Sequence, residues 1–425
     1  MTYLKSIKFD GTTPQSQMYY DAFGRMRTSV PYTIFDTKTV KGNENLIWDD
    51  AEISGTGTSS AFQINKSSYQ ISVSANTAGH RARQSKLRGI YQPGKSQFVF
   101  LTGLIGDAPN GITKRWGAFD NRNGLFFQDQ NGLFSVGIRT NTSGSPVDKI
   151  IIRDNFNFDK LDGTGISGYN MNLNRSKIFF IDFEWLGVGQ IRYGVVDKGI
   201  YYLCHIETNS NELDLNSVVY MSDPSLPIRY EIINDGTGPE SSLNTICSSI
   251  LSEGGQENTS ITYNVSRGGT LVTLGAQDTY TPIISIRLKS NSNIGTIPDV
   301  NAFTSKVIIE SIDIFSTSNI NYEWKLFLNP TIGGTDNANW VNLDHTSIQY
   351  DISRNNTNLL TDGFIISGGY SSSSNQVKAI VSEVIKTYLT MGSNIDETSD
   401  EIVLGVANID DTGGSVYGGL SLSEI

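Results

Sequence analysis

Cysteine is almost missing from this chain: Cys204 and Cys247 are its only two. Two thiols make no disulfide framework, and they read as buried, reduced side chains in a protein folded in a reducing cytoplasm. Histidine is as scarce. His80, His205 and His345 stand apart, with no second His or Cys at ligand spacing, so a metal site or His-based catalysis has no local support. Charged residues reach only 18 %, below the usual quarter. Acids outnumber bases by 43 to 32, a net charge of −11, which argues against non-specific binding to nucleic acid or to an anionic membrane. No apolar run approaches the ~18 residues of a membrane span, and the N-terminus lacks the apolar core of a signal peptide. Helix-building Ala, Leu, Glu and Lys give way to Ser, Thr, Asn and Gly, which excludes a helical bundle.

What remains is strand-forming. Phe, Tyr and Trp supply 10 % of the chain, enough for real cores, and 425 residues exceed one ordinary domain. The organising stretch is KIFFIDFEWLGVGQIRYGVVDKGIYYLCHIE, Lys177 to Glu207. Phe179, Ile181, Phe183 and Trp185 alternate with Phe180, Asp182 and Glu184, a period of two. With Gly187-Val188-Gly189 as a three-residue hairpin loop, Glu184 pairs with Arg192 on one face. Phe183, Trp185, Ile191 and Tyr193 then line the core on the other. A two-residue closure at Lys198-Gly199 places Tyr202, Cys204 and Ile206 on the core face and sends His205 outward. This is architecture, a β-meander at the heart of a sandwich.

Short runs of strand formers separated by Asn-Gly and Gly-rich turns fill the rest, so the expected fold is all-β, with two jelly-roll-like β-sandwich domains. Residues 1–45 read as an extended N-terminal arm, either a strand laid across a neighbouring sheet or an arm that docks on another subunit. Phe23, Arg25, Arg27, Tyr32 and Phe35 are its candidate assembly contacts, because a short aromatic segment has no core of its own. The first sandwich is placed at 46–235 and the second at 236–425, divided near the turn-rich Asn234–Pro239, with Leu243 to Ile250 left open as a further part of the first. Val307, Ile309, Ile312 and Ile314 with Trp324, Leu326 and Leu328 supply the second core. Val377 to Leu389 fits a helical face by spacing and a strand by its β-branched content.

Two motifs imitate chemistry. Gly89-Ile90-Tyr91-Gln92-Pro93-Gly94-Lys95-Ser96 fits the phosphate-loop pattern, but Lys95-Ser96 opens the strand QFVFLTG where a phosphate loop must open a helix. Asp182 and Glu184 have the spacing of a glycosidase acid pair, yet residues i and i+2 of any strand fall in that range, and Arg192 is expected to neutralise Glu184. The basic run His80 to Arg88 reads as a solvated loop, or as a contact for an acidic partner or nucleic acid. No enzyme, cofactor or metal is expected.

Several blocks, in order, resemble a family of virion structural proteins of tailed bacteriophages and some large DNA viruses. They are DAFGRMRTSVPYTIFD, RQSKLRGIYQPGKSQFVFLTG, WGAFDNRNGLFF, KLDGTGISG, FFIDFEWLGVGQIRYGVV, YLCHIE, LPIRYEI, ICSSILSEGG and TPIISIRLK, spread over residues 18–350. The resemblance implies a non-enzymatic component of a virus head, neck or tail, assembled in the host cytoplasm by contacts with other virion proteins and with its own copies. The meander also looks like a concanavalin-type jelly roll, which implies a second reading as a host-glycan-binding module of a head or tail fibre.

Overall fold

The structure is a computed structural model that describes Met26 and residues 30–210, 218–257, 260–289, 292–294, 297–300, 305–316, 321–372, 377–380, 391–410 and 413–425. Among these the chain is all-β: antiparallel strands joined by turns, with two single 3-10 turns at Ile64–Lys66 and Arg153–Asn155. It divides into two compact units, Met1–Glu257 and Asn258–Ile425, each a sandwich of two sheets around its own apolar core.

The strands of the first unit are β1 (Pro31–Lys38), β2 (Trp48–Gly55), β3 (Thr58–Gln63), β4 (Ser68–Val73), β5 (Gly79–Gly89), β6 (Gln97–Leu104), β7 (Ile112–Phe119), β8 (Gly124–Gln130), β9 (Leu133–Thr140), β10 (Val147–Ile152), β11 (Lys177–Phe183), β12 (Gln190–Asp197), β13 (Ile200–Thr208), β14 (Leu226–Asn234) and β15 (Ser241–Glu253). One sheet runs β13-β12-β11-β6-β15-β4-β3, with β1 also paired to β15, and the other runs β10-β9-β8-β7-β14-β5-β2. Alternation sends Phe179, Ile181 and Phe183 of β11 and Leu125 and Phe127 of β8 into the space between them. There Trp116 meets Phe179 edge-on at 5.0 Å and lies nearly parallel to Phe127 at 5.9 Å. Each such ring removed from water contributes about 1.5–3 kcal/mol.

The unit boundary falls at Glu257, beyond the expected break at residue 235. The reason is β15, which lies between β6 and β4 in the first unit's larger sheet and so carries the chain back into that core. Of the two readings of the N-terminal segment, the strand laid across a sheet holds for β1. β1 pairs with β15 from Pro31 opposite Glu253 to Lys38 opposite Cys247. Phe35, expected to dock on another chain, is 5 % exposed and meets Trp48 of its own unit at 6.2 Å. Tyr32 remains 39 % exposed. Phe23, Arg25 and Arg27 lie outside the described residues.

In the second unit one sheet takes the order Ile261–Ser266, Ser415–Glu424, Val307–Ser316, Val377–Ile380, with Val272–Thr273 also beside Ser415–Glu424. The other runs Val341–Asn342, Ile348–Asp351, Thr281–Leu288, Glu401–Asn408, Asn321–Leu328, Phe364–Ser372. Ile312, Ile314, Trp324, Leu326, Leu404 and Leu420 meet between them. Val377–Ile380 is strand; 381–389 lie outside the described residues.

Candidate functional site

The meander β11-β12-β13 forms as alternation requires, but its register differs from the expected one by two residues. β11 and β12 align Phe183 with Ile191, Asp182 with Arg192 and Ile181 with Tyr193. The connection is longer than Gly187–Gly189, because the Gly189 N–H donates to the Trp185 carbonyl at 2.7 Å and closes a full helical turn. Leu186 and Gly187 take left-handed backbone angles inside it. A shift of two preserves the faces, so Phe183, Ile191 and Tyr193 are fully buried core residues. Trp185 sits at the rim, half-buried, its Nε1 donating to the Met221 carbonyl at 2.9 Å. What changes is the ion pair. Arg192 Nη1 lies 3.2 Å from Asp182 Oδ2, where Glu184 was expected, and neither side chain is at the surface. Glu184 is itself fully buried.

The second turn, Lys198-Gly199, closes in two residues, both with left-handed backbone angles. Beyond it a bulge in β13, facing the Tyr193–Gly194 step of β12, leaves Cys204 without an opposite residue. Tyr202 and Cys204 face the main core. The extra residue then turns His205 inward, beside Phe156 at 5.7 Å, and sends Ile206 to the opposite face. Both placements reverse the expectation from strict alternation. Cys247, expected to be buried, is exposed.

That opposite face is the solvent side of the larger sheet. Register brings Cys247, Thr102, Ile178, Val196 and Tyr201 into one row across five strands. The next row holds Ser249, Phe100, Phe180, Gly194 and Leu203. Gly194 is required there, since a Cβ would stand 2.4 Å from the Phe180 ring. A depression of about 400 Å³ opens along the first row, between Asp36 and Tyr201. Ile178 and Tyr201 are each 37 % exposed on its floor. The third row, with Phe98, Asp182, Arg192 and Ile206, is closed off. Asn157 clamps the backbone of Ile206 through bonds of 2.7 and 2.9 Å.

The solvent side of the smaller sheet is charged instead. Glu231 is held by Arg115 at 3.1 Å, Arg229 at 3.2 Å and His80 at 3.3 Å. Burial raises its carboxyl, but these three outweigh that and keep it well below the usual carboxylate range. Arg139 pairs with Asp148 at 2.7 Å and covers the Phe119 and Phe126 rings. A carboxylate so compensated is a poor proton donor. The run from His80 to Arg88 is therefore a strand, β5, and its charges are committed to the fold. Arg81 pairs with Asp50 at 2.7 Å and Arg88 with Asp120 at 2.6 Å. Arg83 lies buried over the Tyr69 ring at 3.9 Å, and burial lowers its pKa to about 10. Gly89 to Ser96 turns and enters β6, not a helix. Lys95 Nζ donates to Gln92 Oε1 at 3.0 Å and lies 3.7 Å from Glu257.

Sequence reasoning passed over β2, β5, β7, Ile348–Asp351 and Ser415–Glu424. In the last, Val416, Gly418, Leu420 and Leu422 alternate with Tyr417, Gly419, Ser421 and Ser423, a period-two signal masked by its two adjacent glycines.

No family profile matches the chain, and no curated protein matches it. Solved structures do. A Bacillus licheniformis beta-glucanase is 11 % identical over 51 % of this chain and 96 % of its own, with a TM-score of 0.32. A legume lectin-like domain from Entamoeba histolytica is 10 % identical over 52 % of this chain and 98 % of its own, at 0.31. A protein of unknown function from Shewanella oneidensis MR-1 is 11 % identical over 61 % of this chain and 99 % of its own, at 0.34. Likenesses this distant assign no activity.

Proposed function

We propose that this chain is a non-enzymatic structural component of a virus particle, working through contacts with other virion proteins and with its own copies. One observation carries the assembly reading. The row Cys247-Thr102-Ile178-Val196-Tyr201 keeps an apolar strip open on the solvent side of a sheet. A free-standing antiparallel sandwich turns that side polar, and contiguous exposed apolar surface marks a contact site. The ordered sequence blocks shared with virion structural proteins supply the setting. The ion-paired state of Asp182 and Glu231 supports a role without acid–base chemistry.

Particles made with this gene present are the test. Peptide mass spectrometry of purified particles should find the chain at a fixed stoichiometry. Ile178→Lys with Tyr201→Lys should leave thermal unfolding of the isolated protein nearly unchanged, since both side chains are exposed, and should exclude it from particles. Absence of the chain from particles, or normal incorporation of the double variant, would overturn the reading.

A further inference from the structure

The second unit carries a depression of about 250 Å³ over the strands Ile261–Ser266, Ser415–Glu424 and Val307–Ser316. Val416, Leu420 and Leu422 of the middle strand point into the core. Tyr417 and Gly419 therefore occupy the solvent side. Register assembles three rows there. Phe315 stands beside Tyr417; Lys378, Asp313, Gly419 and Ser266 stand side by side; Asn264 stands opposite Ser421. Rows on one face are about 6.8 Å apart.

Three features of this patch go beyond what the fold needs. Phe315 and Tyr417 lie nearly parallel, 16° apart with centroids at 6.3 Å, and Phe315 is 43 % exposed, so a stacked aromatic pair borders the depression with one ring open to solvent. Beside it stand the half-buried Asp313, which the register sets opposite Lys378, and the exposed Asn264. Between them lies Gly419. A Cβ there would meet nothing closer than 3.7 Å, and the backbone angle is ordinary. Glycine weakens a strand interior, and where packing does not demand it, it marks a close approach by something else. Gly418 shows the contrast: its Cβ would fall 2.4 Å from Ile283 Cγ2.

We infer that this depression binds one neutral hexopyranose unit of a glycan. The apolar C–H face of a sugar ring lies on an aromatic ring, its vicinal hydroxyls donate to a carboxylate, and an amide supplies both a donor and an acceptor. The glycine floor lets the ring reach the sheet. The lining residues carry one charge, the Asp313 carboxylate, and the whole chain carries −11, which selects against sialylated or sulfated sugars. A volume of about 250 Å³ lies below the ~300–1,000 Å³ of drug-sized pockets, and so fits a single ring. This site is on the second unit and does not depend on the assembly reading for the first.

The full-length chain should be tested on an array of neutral and sialylated glycans, and by saturation-transfer NMR with the methyl glycosides of glucose, galactose and mannose. At least one neutral glycan should bind. Phe315→Ala, Asp313→Asn and Gly419→Val should each weaken that binding about tenfold or more. The glycine variant also keeps the test sound if loss of the aromatic ring disturbs folding, because the Cβ it adds meets only ordinary contacts and should not lower the thermal midpoint. No neutral glycan bound, binding confined to sialylated glycans, or undiminished binding by Gly419→Val would each overturn the inference.

Discussion

Asp182 and Arg192 face each other across β11 and β12, 3.2 Å apart and shielded from water. Removing one partner of such a pair takes the opposite charge away from a group that stays buried. Asp182→Ala should therefore cost about 3–5 kcal/mol, while replacing both by apolar residues, Asp182→Leu with Arg192→Met, should recover most of it. Denaturant unfolding of the three proteins checks this. Equal losses in the single and double variants would show that the pair itself is the source of stability.

The Glu231 carboxyl gives a pH signature. Its folded pKa lies well below the ordinary 4.5, because Arg229, His80 and Arg115 outweigh its burial. A depressed acid contributes fully above its unfolded pKa, and that contribution is lost as pH falls through the folded value. The thermal midpoint should accordingly drop below about pH 4.5. Glu231→Gln should be less stable at neutral pH, and its gap to the wild type should narrow in acid. Calorimetry from about pH 7 to about pH 3 tests it; a constant gap would contradict it.

Phe35 stabilises the chain to which it belongs. Phe35→Ala should cost about 3–5 kcal/mol in the isolated protein, through the cavity left beside Trp48. An unchanged unfolding midpoint, with a defect only in assembly, would restore the docking-arm view.

Glycines in equivalent strand positions should respond oppositely. Gly194→Ala places a methyl 2.4 Å from Phe180 and should cost about 1–3 kcal/mol by overpacking. Gly419→Ala meets only ordinary contacts and should be near neutral or stabilising. The comparison needs only thermal melts.

Lys95 is a turn residue with modest partners, Gln92 and the exposed Glu257. Lys95→Ala should alter stability by no more than about 1 kcal/mol. Calorimetric titration with ATP should give no signal that depends on this lysine.

Much of this was legible in the residues. Period-two alternation from Lys177 to Ile206 fixed which side chains of β11 and β12 meet the core, because a strand can offer only two faces. The dipeptide Lys198-Gly199 fixed a two-residue turn, because few residues accept its backbone angles. Val307 to Ile314 with Trp324 to Leu328 named the second core for the same reason.

The remainder depended on partners distant in sequence. Alternation is blind to a slip of two, so only the helical turn at Trp185–Gly189 could set Asp182 opposite Arg192, the place expected for Glu184. A bulge is one residue with no local mark, yet it reversed His205 and Ile206. β15 joined the first unit because its neighbours are β4 and β6, more than a hundred residues earlier. The basic run became buried structure only once Asp50, Asp120 and Glu231 were brought beside it. Composition and period determined the all-β class and the strand faces, which are properties of neighbouring residues. Register, ion pairing and the Phe315–Tyr417 patch were decided by tertiary structure, because each requires side chains that only folding brings together.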